Sequence, residues 1–305
     1  MPGKHPRIKV RRLPEVYETY LVYYQRTRQT SEAKVKQIRR VLRPFERFLK
    51  RSGVKLAHLR IEHIDAFLSE FYVGFAPGTC RLYRSYLRGF LKYLYQERGI
   101  LRKDLAPLVV GAPMFAKAQP PKFLRAWEVK QLLASLDLSS PTKIRTRAMV
   151  HLAYFLGLRP REICRISMEE ISFSQAELAV TIRKNKSPLK LPLPDILLKS
   201  IVAYVIGVRS KSKYRKLFLT SFAPYRPLTL SYVSRCIRDC VKAVNPSASP
   251  YWLRHTCAQN LLEAGASIFE IKEMLGHDSI EATRKYLQVH IELMRKVILD
   301  EEKEI

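Results

Sequence analysis

The run PYWLRHTCAQNLLEAGASIFEIKEMLGHDSIEATRKY, residues 250–286, fixes the character of the chain because its helix punctuation is the clearest in the sequence. Leu253, Ala258, Leu261 and Leu262 turn inward on one helix, and Gly265 is the stop beyond its last turn. Ser267 and Glu270 have capping-box spacing and open a second helix, which Gly276 closes. His277 therefore falls at a helix boundary. Asp278 and Glu281 are spaced to start the helix that carries Tyr286. In the tail after it, Ile291, Met294, Val297 and Ile298 predict one more amphipathic helix.

Around this core the composition narrows the class. A chain of 305 residues has the length of about two domains, and 47% hydrophobic residues mark it as globular. Fifty-five Lys and Arg face 27 Asp and Glu, a formal charge of +28 that opposes compaction unless a polyanion relieves it. Nucleic acid is the expected partner, ahead of a ribosome-associated protein or a merely solvated basic surface. Cys80, Cys164, Cys236, Cys240 and Cys257 are too scattered for a disulfide framework and read as reduced, mostly buried thiols. Neither CxxC nor HExxH occurs, so no metal site is expected. No apolar run approaches the roughly 20 residues of a membrane span, and the N-terminus lacks a signal-peptide core. The expected location is cytoplasmic, associated with the nucleoid.

The stretch PLVVGAPMFAKAQPPKF, 107–123, is rich in proline and poor in helical periodicity, so it reads as a linker. It divides a domain at 1–118, net charge +16, from one at 119–305, net charge +12, and two basic halves favour two domains gripping one polyanion. The first half reads as helices throughout: PEVYETYLVYYQR, SEAKVKQIRRVLRPFERFLKRSG bracketed by Ser31 and Gly53, IEHIDAFLSEFY, and PGTCRLYRSYLRGFLKYLYQERG. In the last of these Leu87, Phe90, Leu91 and Leu94 form an apolar stripe. Arg81, Arg84, Arg88 and Lys92 recur on another face, suited to duplex phosphates. The second half mixes types: TRAMVHLAYFLGL is a buried helix ending near Gly157, ELAVTIRKNKSPLKLPL is strand, turn and strand, and helices resume near residue 228.

GLRPRE at 157–162, LRHTCA at 253–258, LGH at 275–277, and Tyr286 nine positions after His277 resemble the boxes of the tyrosine recombinases, the phage-integrase and Xer-like class of DNA strand-exchange enzymes. The resemblance covers the C-terminal half in order and spacing, and the N-terminal half more loosely. It implies a mainly α fold with a small β-sheet (α+β), in which a helical SAM-like core-binding domain precedes a tyrosine-recombinase catalytic domain. An additional arm-binding domain of the lambda-integrase kind is not expected.

The resemblance also implies a chemistry. The Tyr286 phenol attacks a phosphodiester of double-stranded DNA, leaves a 3′-phosphotyrosyl link and frees a 5′-hydroxyl, with no cofactor, metal or nucleotide. The obstacles are a phenol whose reference pKa is about 10 and a transition state crowded with negative charge. Arg159 and Arg254 hold the box positions whose guanidiniums bind non-bridging oxygens, with Glu162 buttressing them from behind. A lysine on a β-hairpin turn protonates the leaving oxygen in this family. Lys184, eight positions before Pro192, matches that offset best, and Lys186 is the alternative or a further DNA contact. His277 is suited to hydrogen-bond the scissile phosphate.

One position departs from the pattern. Three residues before Arg254, where most members have histidine, stands Tyr251, which can donate a hydrogen bond to phosphate but does not readily carry positive charge or shuttle protons near neutral pH. His255 is one residue past Arg254, and a helix turns it about 100° away, so it is not read as a simple substitute. Tails of this kind dock into a neighbouring subunit, which implies a homo-tetramer on two duplexes assembled through residues 291–298. The competing readings are a catalytically silent DNA-binding protein of the same fold and a type IB topoisomerase-like enzyme.

Overall fold

The computed structural model describes residues 12–111, 122–181 and 189–276, together with 280, 283 and 286. Lys184, Lys186, His277 and the tail 291–298 lie outside the described residues. The chain divides into two compact units, Met1–Phe115 and Ala116–Ile305.

Among its described residues the first unit has four α-helices, α1 (Glu15–Thr27), α2 (Glu32–Arg51), α3 (Ile61–Phe71) and α4 (Pro77–Gln96). On α2 the buried residues Ile38, Val41, Leu42, Phe45 and Leu49 recur at spacings of three and four, so one face of the helix enters the core. Ser31 occupies the position before α2, but its side chain makes no cap bond; its main-chain carbonyl accepts from the N–H groups of Lys34 and Val35. Gly53, at φ +67°, follows the helix in the left-handed conformation that glycine adopts without strain. The apolar stripe of α4 is fully buried, with Phe90 stacked on Tyr17 at 4.7 Å and against Tyr20 at 5.1 Å.

The basic stripe of α4 divides. Arg81, Arg88 and Lys92 are exposed, whereas Arg84 is half-buried. Arg88 Nε donates to the Ala106 carbonyl at 3.0 Å, and the Arg84 guanidinium lies so close over Gly111 that it leaves no room for a Cβ there. Two of the four cations therefore also brace the chain that follows the helix, because their long side chains reach its main chain.

The second unit contains α5 (Ala126–Ser135), α6 (Pro141–Phe155), α7 (Pro160–Ile163), α8 (Asp195–Gly207), α9 (Leu230–Val244), α10 (Pro250–Glu263) and α11 (Ile268–Leu275). Strands β1 (Ile171–Ser172), β2 (Glu177–Val180) and β3 (Leu189–Pro192) form an antiparallel sheet in that order. Leu178 pairs with both Ile171 and Leu191, and all three are buried, so the sheet presents one apolar face to the core. The fold is thus mainly helical with one small sheet.

Helix α6 is the centre of this unit and packs against α8 and α10. Its residues 148–153 are all buried, which leaves no face for solvent. Most of the polar groups it carries inside are satisfied locally, while the Nε atoms of Arg145 and Arg147 are buried with no hydrogen-bond partner among the described residues. Arg145 donates to the Leu219 carbonyl, Ser221 Oγ and Tyr232 Oη at 2.7, 3.0 and 2.8 Å, and His151 Nδ1 lies 2.7 Å from Ser200 Oγ. Burial lowers the His151 imidazole to about 4 and keeps it neutral. Of the five thiols only Cys257 is buried, and the other four are half-buried. Among the described residues no helix is long and apolar enough to cross a membrane.

Phe90→Ala is expected to destabilise the first unit by about 3–5 kcal/mol, the range for removing a large aromatic from a packed core. Chemical denaturation of the full chain, followed by tyrosine fluorescence, checks this.

Candidate active site

The site residues of the second unit come from three elements. Helix α6 ends at Phe155 with Leu156 as its cap, and the N–H of Leu158 returns to the Leu152 carbonyl across Gly157, which sits at φ +60°. The reversal delivers Arg159 to the position just before α7. Glu162, in the first turn of α7, folds back so that its carboxylate accepts from the Arg159 main-chain N–H at 2.7 Å and from Arg159 Nη1 at 2.8 Å. This makes a short helix that caps itself, with the cation and its counter-ion in one turn.

Arg254 enters from α10 and is buried, its side chain only 4% exposed. Its Nη1 donates to the Gly157 carbonyl at 2.7 Å, and its Nη2 donates to the Leu275 carbonyl at the end of α11. Both acceptors stand beside a glycine of positive φ, Gly157 itself and Gly276 after Leu275 at φ +62°. The guanidinium thus meets the last carbonyl of α11, where partial negative charge accumulates, and the carbonyl of the turn that follows α6. The Glu162 carboxylate lies 3.9 Å from Arg254 Nη1, so one anion serves both arginines. A Cβ at Gly157 would meet Leu275 Cδ2 at 2.6 Å, which, with its φ, fixes glycine there. Arg159, with its side chain 22% exposed, is the more accessible of the two cations.

Tyr286 is 1% exposed and packs with Ala258, Ile271 and Leu275 in a small apolar cluster. Its Oη lies 2.7 Å from His255 Nδ1, with the two rings 5.5 Å apart. Burial pushes the phenol up to about 12; Arg254 and Arg159 pull it down by smaller amounts, and Cys257 pushes it further up. Tyr251 is half exposed in the first turn of α10.

Arg159, Arg254, Glu162 and Tyr286 are therefore brought within one electrostatic neighbourhood, and Tyr251 stands one helical turn before Arg254. Lys184, Lys186 and His277 lie outside the described residues. The residue that sequence reasoning missed is His255. Its rotation away from Arg254 is real, but the same rotation aims it at Tyr286. Spacing along the chain carries no sign of that contact, which spans 31 positions. Chemically the arrangement offers a phenol, a base within hydrogen-bond reach, and paired guanidiniums sharing one carboxylate, which leaves an excess positive charge for an anionic group.

Comparison with known proteins places the chain in a family and a fold. Residues 122–292 match the phage integrase family, and residues 17–98 match the phage integrase N-terminal SAM-like domain. The chain is 29% identical to the tyrosine recombinase XerD of Staphylococcus haemolyticus, over 90% of this chain and 94% of that protein. It is 30% identical to the tyrosine recombinase XerC of Pelotomaculum thermopropionicum, over 73% and 74%. The XerH site-specific recombinase bound to palindromic difH substrate in a post-cleavage complex shares the fold with a TM-score of 0.75 at 16% identity, covering 92% of this chain and 84% of that one. The Tn1549 transposon integrase in complex with circular intermediate DNA matches with a TM-score of 0.68 at 16% identity, over 89% and 94%.

Glu162→Ala is expected to cost about 3–5 kcal/mol, because it strips the shared counter-ion from a buried guanidinium. Glu162→Gln should cost less, since its amide oxygen still accepts from the Arg159 N–H. Urea titration of the two variants against wild type checks the order.

Proposed function

The chain belongs to the phage integrase family, and on that footing we propose that it is a site-specific tyrosine recombinase in which Tyr286 is the nucleophile and Arg159 and Arg254 hold the scissile phosphate. The observation that carries this reading is the single carboxylate of Glu162 shared by two guanidiniums that both act on the Tyr286 phenol.

In the reaction, Tyr286 Oη attacks the phosphorus of double-stranded DNA, the Oη–P bond forms, and the bond from phosphorus to the 5′-oxygen breaks. The phosphoester energy is kept in the 3′-phosphotyrosyl link, so a second 5′-hydroxyl can reverse the step on another strand. The guanidiniums stabilise charge that builds on the non-bridging oxygens, and their fixed charge costs no reorganisation as it builds. Lys184, with Lys186 as the alternative, gives the leaving oxygen its proton, and His277 hydrogen-bonds the phosphate. Tyr251, half exposed one turn before Arg254, donates a hydrogen bond to the same group. Tyr286 is buried, so the bound duplex must gain access to its phenol before the attack. Arg81, Arg88 and Lys92, exposed on α4, contact the duplex backbone, and Arg84 contributes less because it is half-buried. Four copies assemble on two duplexes, with residues 291–298 of each docked on a neighbour.

The test is covalent capture. Nicked duplexes with a randomised core are incubated with the protein, and DNA that stays attached under denaturing conditions is recovered. Wild type should yield a protein–DNA adduct at Tyr286, Tyr286→Phe should yield none, and Arg254→Ala should lose at least about 100-fold in adduct formation. Absence of any adduct with wild type would leave a DNA-binding protein of the same fold. Tyr251→His is expected to cleave the selected duplex as fast as wild type or faster; a large loss with folding intact counts against a phosphate contact at that position. Removal of residues 290–305 should spare duplex binding while impairing cooperative pairing of two duplexes, measured by gel mobility.

A further inference from the structure

The departure at position 251 removes a histidine from the place where relatives of this type carry one, yet the structure sets another imidazole directly on the nucleophile. We propose that His255 is a catalytic residue of this protein, the group that accepts the Tyr286 phenol proton as the phosphotyrosyl bond forms. The inference deepens the recombinase reading and rests on it.

Three observations carry it. His255 Nδ1 lies 2.7 Å from Tyr286 Oη, the distance at which a hydroxyl donates to a ring nitrogen. The two rings are 5.5 Å apart and inclined by 57°, so the contact is held by packing as well as by the hydrogen bond. His255 is half-buried, in contrast to the buried phenol, and a proton taken up on the ring has a route to solvent. Helix geometry adds a fourth. Measured from Arg254, His255 is turned aside, but measured from Tyr251 it is four positions on, one turn along the same face of α10. Positions 251 and 255 thus lie on one face of α10, with the imidazole one turn further along it.

The step balances without any further reactant. The Oη–H proton passes to Nδ1 while Oη bonds to phosphorus, and the imidazolium formed is offset by the negative charge of the reacting phosphate. The proton for the departing 5′-oxygen comes separately, from Lys184 or Lys186. Among the described residues, the charged and titratable groups that face this pair include Arg254 and Cys257 on α10, and Arg159 with Glu162 at the start of α7. Burial raises the phenol to about 12, so it holds its proton in the resting enzyme and needs an acceptor when it attacks.

The experiment measures single-turnover adduct formation on the captured nicked duplex, for full-length wild type, His255→Ala and His255→Gln, across pH. Both variants are expected to form adduct at least about 100-fold more slowly near neutral pH. The wild-type rate should rise with pH through one ionisation that neither variant retains. A duplex whose 5′-leaving oxygen is replaced by sulfur needs no proton donor and should not restore them. Four results overturn the assignment: wild-type rate and pH profile in His255→Ala, faster cleavage in that variant, full activity in His255→Gln, or rescue by the sulfur-bridged duplex. Unfolding midpoint and duplex affinity, measured in parallel, separate loss of chemistry from loss of fold, and His255→Gln covers the case in which the alanine variant does not fold. If Tyr286→Phe forms the adduct as well, the nucleophile itself has been misassigned, a failure distinct from that of His255.

Discussion

A guanidinium placed inside a protein must be given hydrogen-bond acceptors, or it does not stay there. Arg254 is such a group, and the second unit is organised around meeting its demand. The carbonyl in the reversal after α6 and the carbonyl that ends α11 both accept from it, and the Glu162 carboxylate shared with Arg159 lies 3.9 Å away. Each of those partners comes from a different element of the chain. Holding one cation therefore fixes the mutual placement of α6, α7, α10 and α11, and with them the surroundings of Tyr286.

The same arrangement explains how much of the molecule its sequence announces. The helices of the first unit are written in apolar spacings, such as Ile38, Val41, Leu42, Phe45 and Leu49 on α2, and are legible without tertiary information. Gly265, the pair Ser267 and Glu270, and Gly276 punctuate α10 and α11 in the way their chemistry dictates, with Ser267 Oγ and the Glu270 carboxylate each bonding the other's N–H. Short elements are not legible. β1 is two residues long, and α7 is held by one carboxylate rather than by a pattern, so neither leaves a period to detect.

The site was legible by type and illegible by contact. Arg159, Arg254, Glu162 and Tyr286 were picked out by their boxes, but nothing in those boxes tells that Gly157 serves Arg254 with its oxygen, or that His255 reaches Tyr286. Such contacts join positions 31 and 97 residues apart, and they depend on how helices pack. The division of the α4 stripe has the same origin. A basic residue at helical spacing has a charge that sequence reports and a neighbour that it does not, and Arg88 spends part of its hydrogen-bonding capacity on Ala106.

Two of the acceptors around Arg254 are main-chain oxygens, and this has a consequence for how the protein can evolve. Every residue type carries a carbonyl, so a substitution at position 275 changes the side chain and leaves the oxygen where it was. Only the backbone path must be kept, and that burden falls on Gly157 and Gly276. At these two acceptors the pocket is in this way insulated from drift in the letters that build it, and the mutational risk passes to two small residues without side chains, with Glu162 the exception because it serves the charge through its own carboxylate.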